Sequence, residues 1–287
     1  MLRIFPLVAL GVLMSKALAN TPIDNSVFVN DPLTAVKGAA PLWHFDTKTC
    51  FPTAATQLDG SQTKNVTEDA CMLLGPLNQG CPAQAPQTQQ AQLSTSFPTY
   101  YTVRKCDKDA SWRVVYDVFF QKDTGHPYDW EWVAVKFVQN AQGQYVRDGI
   151  WLEQDGNHPY ITWGNIPNTF DGDADKFQNN NKNRDHPKAY FGKWKHNVDV
   201  VFNDKFANDC LGAIVNKKDY HSDDYQYYAS DNLLVGLAVP GKGSFFNLGS
   251  HFGLMFLVAS YKYGNADSNP AAFEAGGRYD ICGSGFA

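Results

Sequence analysis

The strongest constraint on the fold of this chain is a series of short segments rich in aromatic and β-branched residues. Val, Ile, Tyr, Phe and Trp favour strands because their side chains pack well on a pleated surface, and turn residues separate the segments. The predicted strands are residues 112–120, 130–138, 145–152, 160–163, 198–202, 233–239 and 254–260. Many short strands between turns are typical of a β-sandwich. We therefore expect a mainly β (α+β) chain, folded as a single-domain β-sandwich flanked by helices and loops and stabilised by disulfides.

Residues 1–19 have the pattern of a secretory signal peptide. Arg3 supplies a positive charge, residues 4–14 are a short apolar run, and Ala17-Leu18-Ala19 is a small-residue cleavage signal. We expect cleavage after this signal, which leaves a mature domain over residues 20–287. The sequence therefore predicts a secreted, extracellular protein.

The net charge argues against nucleic acid as a partner. The chain carries 24 Lys+Arg and 29 Asp+Glu, a net charge of −5, which becomes −7 when the signal peptide removes Arg3 and Lys16. No broad basic surface is expected at this balance. The best remaining apolar run, residues 252–258, is far shorter than the roughly 20 residues that cross a bilayer. Any membrane contact is therefore expected to be peripheral, without a transmembrane helix.

The cysteine pattern predicts a disulfide framework. The six cysteines are Cys50, Cys71, Cys81, Cys106, Cys210 and Cys282. An even number in an oxidising compartment favours three disulfides, although the sequence does not choose the pairing. Four of the six lie in a Cys-rich N-terminal part, about residues 40–110, which we expect to be stapled locally. The tripeptide Asn65-Val66-Thr67 is a glycosylation sequon and predicts a glycan on Asn65.

The segment with the clearest chemistry is residues 122–133, a turn between two predicted strands. Asp129 and Glu131 share one face of the second strand because strand side chains alternate. His126 lies in the turn and Asp123 precedes it. Oxygen donors with a single imidazole suit Mg²⁺ or Ca²⁺, with Mn²⁺ also possible, better than Zn²⁺. Two alternatives are a hairpin with solvated polar residues and a glycosidase-like pair of carboxylates.

The segment Gly125-His126-Pro127-Tyr128-Asp129-Trp130-Glu131 resembles the heptapeptide Gly-His-Arg-His-Asp-Trp-Glu of the necrosis-inducing protein family. These are the necrosis- and ethylene-inducing-peptide-like proteins that plant-associated microbes secrete. Further segments resemble motifs of the same family in the same order: Cys50-Phe51-Pro52-Thr53-Ala54, residues 170–175, His186-Pro187-Lys188-Ala189-Tyr190 with the following Lys193-Trp194-Lys195-His196, and residues 263–270. The resemblance spans about residues 50–270.

The resemblance implies a β-sandwich that holds a divalent cation at the base of a surface cavity. It also implies binding to the sugar heads of plant plasma-membrane sphingolipids, the glycosylinositol phosphorylceramides, followed by membrane damage and cell death. By this resemblance the metal ligands, direct or through water, are His126, Asp129, Glu131 and Asp123. The implied head-group-binding residues are Trp194, Lys195 and His196. The function expected from the sequence is thus that of a secreted, non-enzymatic effector.

Two residues of the heptapeptide depart from the family pattern. Pro127 replaces the family's Arg, and Tyr128 replaces its second His. Neither change removes a predicted ligand, but Pro127 removes a cation and a backbone donor from the turn. An alternative is therefore a non-cytotoxic secreted member of the family, with a developmental role or as an elicitor of plant immunity. A further alternative is a metal-dependent hydrolase that uses the same carboxylates and a metal-bound water.

Overall fold

The computed structural model describes residues 20–67, 78–82, 96–154, 156–203, 221–229, 233–236, 258 and 260–286. The predicted signal peptide, residues 1–19, lies outside the described residues, as do Cys71 and Cys210.

The described part of the chain is mainly β. Its strands are β1 (Leu42–Phe45), β2 (Thr99–Cys106), β3 (Ser111–Lys122), β4 (Pro127–Gln139), β5 (Tyr145–Leu152), β6 (Tyr160–Thr162), β7 (Thr169–Phe170), β8 (His186–Phe191), β9 (Val198–Asp199), β10 (Tyr225–Tyr227) and β11 (Leu234–Gly236). Two short helices precede them, α1 (Asn25–Asn30) and α2 (Pro32–Lys37). Helix α2 begins at Pro32, and the side chain of Asp31 caps it by accepting a hydrogen bond from the Thr34 N–H. None of the described helices is both long and apolar enough to span a lipid bilayer.

The strands form two sheets. The larger sheet has six strands in the order β11-β2-β3-β4-β5-β6, and the smaller has the order β10-β1-β8-β7 with β9 paired to β8. Long antiparallel hairpins connect β2 to β3, β3 to β4 and β4 to β5. The predicted fold class, a mainly β sandwich with flanking helices, is therefore confirmed.

The main core lies between the two sheets. Alternate residues of β3, including Tyr116 and Phe120, are fully buried against aromatic side chains of the smaller sheet. The rings of Phe45 on β1 and Phe191 on β8 stack with centroids 4.8 Å apart, and Phe120 packs edge-on against Phe191. Such aromatic pairs add about 0.5–1.5 kcal/mol each beyond their buried area. Strand β3 is therefore held firmly along its length, up to the turn that carries the predicted ligands.

The C-terminal segment, residues 260–286, packs on the outer face of the larger sheet. Phe273 and Phe286 contact Trp132 there. Buried Arg113 donates hydrogen bonds to the carbonyls of Ile281 and Phe286. The segment is thereby fixed to the sheet, and its earlier residues reach the end of the sandwich where β3 turns into β4.

Two disulfides are formed among the described cysteines. Cys50 is bonded to Cys81, a local staple in the N-terminal part. Cys106 is bonded to Cys282, 176 residues away. The expectation of local stapling is therefore wrong for Cys106, which instead ties β2 to the C-terminal segment.

The predicted strands agree best with the structure in β3, β4, β5 and β6. The strand predicted at residues 198–202 is limited to β9, and of residues 233–239 the described part forms β11. The prediction for residues 254–260 is wrong where it can be compared, because Val258 and Ser260 are helical. A short apolar run does not by itself distinguish a buried helix from a strand.

Candidate cation-binding site

A cavity of about 230 Å³ opens where the turn between β3 and β4 meets the C-terminal segment. Its acidic and imidazole lining consists of Asp123, His126, Asp129, Glu131 and Glu153, with a further carboxylate from Asp267. All four ligands predicted from the sequence thus line one cavity. Glu153 is an additional acidic residue that the sequence analysis did not identify.

The turn that carries Asp123 and His126 has a defined shape. The Asp123 side chain accepts hydrogen bonds from the backbone N–H groups of Gly125 and His126, at 2.5 and 2.7 Å. Thr124 donates from its N–H and its hydroxyl to the carbonyl of Trp194, at 3.2 and 2.9 Å. These bonds hold the turn against the segment that follows β8.

The imidazole of His126 has one nitrogen suited to a metal. Its Nδ1 lies 2.6 Å from the carbonyl oxygen of Tyr128, which can only accept, so Nδ1 carries the proton. In the neutral ring the lone pair is then on Nε2, which lies 3.4 Å from Oδ2 of Asp123. Burial lowers the pKa of His126, but the negative charges of Asp129 and Asp123 outweigh that effect and raise it. The nitrogen that faces the carboxylates is therefore the one that can bind either a proton or a cation.

Asp129 is held from beneath by His196. The Asp129 Oδ2 lies 2.9 Å from Nδ1 of His196, and Nε2 of that ring lies 3.1 Å from the hydroxyl of Thr49. The ring also stacks on Phe120 with centroids 4.0 Å apart. Burial lowers the pKa of His196 to about 4, so the ring is neutral at neutral pH. Because the Thr49 hydroxyl donates to the carbonyl of Lys193, it accepts from the N–H of Nε2. The Nδ1 atom of the neutral ring therefore accepts a hydrogen bond from a protonated Asp129 carboxyl.

Glu131 and Glu153 form an acidic pair in the wall of the cavity. Glu131 is 3% exposed, and its Oε2 has no hydrogen-bond partner. Burial raises the pKa of Glu131, and the adjacent Glu153 raises it further. Glu153 is 7% exposed, and one of its oxygens accepts from the N–H of Gly156 at 3.1 Å. A buried carboxylate oxygen without a donor is costly, which is a reason to expect a positively charged partner in this cavity.

The pKa of Asp129 is raised for the same reasons, first by burial and then by Asp123. Protons or cations must compensate a group of buried carboxylates that repel one another. The donor set fits a hard divalent cation, since carboxylate oxygens with one imidazole are ligands that Ca²⁺, Mg²⁺ and Mn²⁺ accept. In the part of the chain that the structure describes, however, no group of three or more such side chains is arranged to hold a metal ion as it stands. Binding would require these side chains to rotate toward a common point.

The three residues predicted to bind a lipid head group lie at different depths. Lys195 lines the cavity. Trp194 and His196 are only 3% and 1% exposed, so neither ring is available to a head group in this structure. Trp194 instead binds the β3–β4 turn through its carbonyl, and His196 supports Asp129. The backbone of His196 has a φ of +60°, which turns its ring inward.

Tyr128, one of the two residues that depart from the family pattern, also has a left-handed backbone, with a φ of +69°. Such a conformation is rare for an aromatic residue and costs of order 1–3 kcal/mol. Its ring packs against Phe119 and Tyr263, which holds it in place. Packing against these two rings therefore maintains a backbone conformation at Tyr128 that the residue itself disfavours.

Asn65, the predicted glycosylation site, is exposed, and its side chain makes one long hydrogen bond of 3.4 Å to the Val66 carbonyl. Its glycosylation stays a prediction.

Replacing His196 by Ala is expected to lower the free energy of unfolding by about 2–4 kcal/mol, because the change leaves a cavity beside Phe120 and removes two buried hydrogen bonds. His196→Asn is the matched variant, since Asn tolerates a positive φ and keeps polar atoms; its loss should be smaller. Urea unfolding measures both. An unchanged midpoint for His196→Ala would contradict the supporting role assigned to this ring.

Comparison with known proteins adds distant structural neighbours. No protein-family model matches the sequence, and no curated protein sequence matches it significantly. Among solved structures, the non-toxic protein HaNLP3 is 15% identical over 83% of this chain and 87% of its own, with a TM-score of 0.45. The protein NLPPya in complex with glucosamine is 13% identical over 92% and 94% of the two chains, with a TM-score of 0.49.

A third neighbour is the necrosis and ethylene inducing protein 2 from the causal agent of cocoa's witches' broom disease. It is 15% identical over 76% of this chain and 77% of its own, with a TM-score of 0.41. The identities are low in all three cases. These structural neighbours are necrosis- and ethylene-inducing proteins, the family whose motifs the sequence resembles.

Proposed function

We propose that this protein is a secreted, non-enzymatic effector that binds a divalent cation in the acidic cavity. Through that cation it engages the glycosylinositol phosphorylceramide head groups of plant plasma membranes and damages the membrane, which leads to cell death. The observation that carries the proposal is the cavity itself. Five carboxylates and the imidazole of His126 line it, and a buried oxygen of Glu131 has no partner.

The cation offsets the electrostatic repulsion between this acidic protein and an anionic membrane. A protein with a net charge of −7 after loss of its signal peptide is repelled by an anionic membrane surface, and an acidic cavity increases that repulsion locally. A bound divalent ion reverses the sign at the cavity and offers open positions to phosphate or carboxylate oxygens of a head group. Lys195 lines the same cavity and adds a second positive charge for the same ligand.

Arg278 extends this positive charge at the cavity entrance. Its side chain is 63% exposed and forms an ion pair with Asp267, whose other carboxylate oxygen accepts from the hydroxyl of Tyr279. An exposed guanidinium beside the cavity can bind an anionic oxygen in two-point fashion. The two disulfides are consistent with an oxidising, extracellular location.

A second candidate is a non-cytotoxic secreted effector that keeps the cation and has lost the ability to permeabilise membranes. The observation that favours it is the turn at Pro127 and Tyr128. Pro127 replaces the positively charged Arg of the family pattern, and the backbone of Tyr128 is left-handed. This candidate predicts cation binding without leakage.

The decisive experiment is dye leakage from vesicles that contain plant glycosylinositol phosphorylceramide, with the mature protein in the presence or absence of EDTA. We expect leakage that EDTA abolishes and added Ca²⁺ or Mg²⁺ restores, because chelation removes the charge that attracts the head group. The variant Asp129→Asn should fail to cause leakage. Asp173→Asn removes one negative charge from a side chain that is 96% exposed, and this variant should behave like the unmodified protein.

Three other outcomes would each favour a different mechanism or function. Leakage that persists in EDTA would contradict the role of the cation. Cation binding without leakage would favour the non-cytotoxic effector. Release of free sugar or phosphate from the lipid, with turnover, would contradict a non-enzymatic role and indicate a metal-dependent hydrolase.

A further inference from the structure

Glu153 is an acidic residue of the cavity whose position is fixed by hydrogen bonds to the backbone. It follows the last residue of β5, and its N–H donates to the carbonyl of Trp132 at 3.2 Å. Its carbonyl accepts from the N–H of Val198 at 2.8 Å. Its side chain accepts from the N–H of Gly156 at 3.1 Å. Backbone contacts on three sides therefore place this carboxylate in the cavity wall rather than in solvent.

The side chains of Glu153 and Glu131 are neighbours in the wall of the cavity. The second oxygen of Glu131 remains buried without a partner, in a side chain that is 3% exposed. Glu131 and Glu153 line the same cavity as Asp123 and Asp129, so a ligand of the cavity that carries positive charge could satisfy this oxygen.

We propose that Glu153 is a further cation ligand in this cavity and that its presence makes the site selective for Ca²⁺ over Mg²⁺. The inference rests on the proposed function, since it concerns the same cation.

The selectivity follows from the number and type of donors. Ca²⁺ takes about 6–8 oxygen ligands in a flexible geometry and accepts carboxylates in bidentate mode, whereas Mg²⁺ requires a near-octahedral shell, keeps several waters and is bound by one or two carboxylates. Asp123, Asp129, Glu131 and Glu153 bring four carboxylates to the wall of one cavity. Four carboxylates around one ion are more than Mg²⁺ uses, and the strongly hydrated Mg²⁺ gains least from the added Glu153.

The experiment is calorimetric titration of the mature protein with CaCl₂ and with MgCl₂ after removal of metal by chelation. We expect Ca²⁺ to bind at least about 10-fold more tightly than Mg²⁺. Glu153→Gln should weaken Ca²⁺ binding by about 10–100-fold, the range observed when groups around a metal are removed. The Mg²⁺ affinity of this variant should change much less, so the ratio of its Ca²⁺ affinity to its Mg²⁺ affinity should fall toward one.

Two controls keep the result interpretable. Asp173→Asn removes one negative charge far out in solvent and should leave both affinities unchanged. Glu153→Asp keeps the charge on a shorter side chain, so it should retain part of the Ca²⁺ preference even if Glu153→Gln folds poorly. Far-UV circular dichroism and the melting temperature in EDTA report folding for each variant.

Equal Ca²⁺ affinity in the unmodified protein and in folded Glu153→Gln would overturn the inference and leave the proposed cation site standing. A preference for Mg²⁺ in the unmodified protein would overturn it in the same way. Binding of neither ion by the unmodified protein would overturn both the inference and the proposed function.

Discussion

Replacing Glu131 by Gln is expected to weaken divalent-cation binding by about 100-fold while raising the stability of the cation-free protein. The amide keeps the size of the side chain but cannot carry the negative charge that a hard cation requires. Without a cation the same charge destabilises the folded protein, because Glu131 is buried beside Glu153 and one of its oxygens has no donor. Removing it should raise the free energy of unfolding by about 1–3 kcal/mol near neutral pH.

The gain in stability should depend on pH in a defined direction. Burial and the neighbouring Glu153 raise the pKa of Glu131 above its ordinary value of 4.5. Between that value and the raised one, the folded protein binds more protons than the unfolded chain, so stability falls as pH increases. The cation-free protein should therefore be most stable at mildly acidic pH. Glu131→Gln should show a shallower fall, because it removes one of the groups that must ionise.

Asp117→Asn is the matched control for this prediction. Asp117 is also buried, neither of its carboxylate oxygens has a partner, and burial raises its pKa well above the ordinary value. It does not line the cavity, so its substitution should stabilise the protein without a large loss of cation affinity. Urea unfolding in EDTA between pH 5 and 8, together with calorimetric titration, measures both effects. If Glu131→Gln destabilised the cation-free protein, the cost assigned to this buried charge would be wrong.

The strands that could be predicted from the sequence are those whose own composition favours a strand. Strands β3, β4 and β5 are long, and their β-branched and aromatic side chains are buried on both faces. Strands β1 and β8 were missed because they contain His44 and Lys188, polar residues that are nevertheless buried, at 4% and 1% exposure. Their burial depends on partners from distant parts of the chain, which local composition does not indicate.

The same distinction applies to the candidate site. Asp129 and Glu131 could be placed on one face from the period of a strand. Glu153 could not, because it reaches Glu131 only through the pairing of β4 with β5, in which Val133 lies opposite Leu152. A single carboxylate after an apolar strand gives no signal of that register.

The burial of the Trp194 and His196 side chains could also not be predicted from the sequence. The prediction that their side chains bind a head group treated them as surface residues, whereas the left-handed backbone at His196 turns its ring under Asp129. A positive φ at a histidine is uncommon, and no residue pattern around position 196 indicates it.

Removing the disulfide between Cys106 and Cys282 by a double substitution to Ala is expected to cost about 5 kcal/mol of stability. The bond closes a loop of 176 residues, and in the chain-entropy account longer loops give greater stabilisation. The bond between Cys50 and Cys81 closes only 31 residues, so its removal should cost about 4 kcal/mol. Urea unfolding under non-reducing conditions compares the two double variants, and a larger loss for the shorter loop would contradict the entropic ordering.

The longer disulfide also bears on the cavity, because the C-terminal segment that it fixes contributes Asp267, Ser268, Arg278 and Tyr279 to the wall. The segment has other anchors, including the ion pair of Arg104 with Asp280. The double variant should therefore remain folded in the absence of denaturant and keep most of its cation affinity, since the proposed ligands come from the β3–β4 turn, β4 and the end of β5. A loss of affinity as large as that of Glu131→Gln would mean that the C-terminal wall, and not only the carboxylates opposite it, determines cation binding.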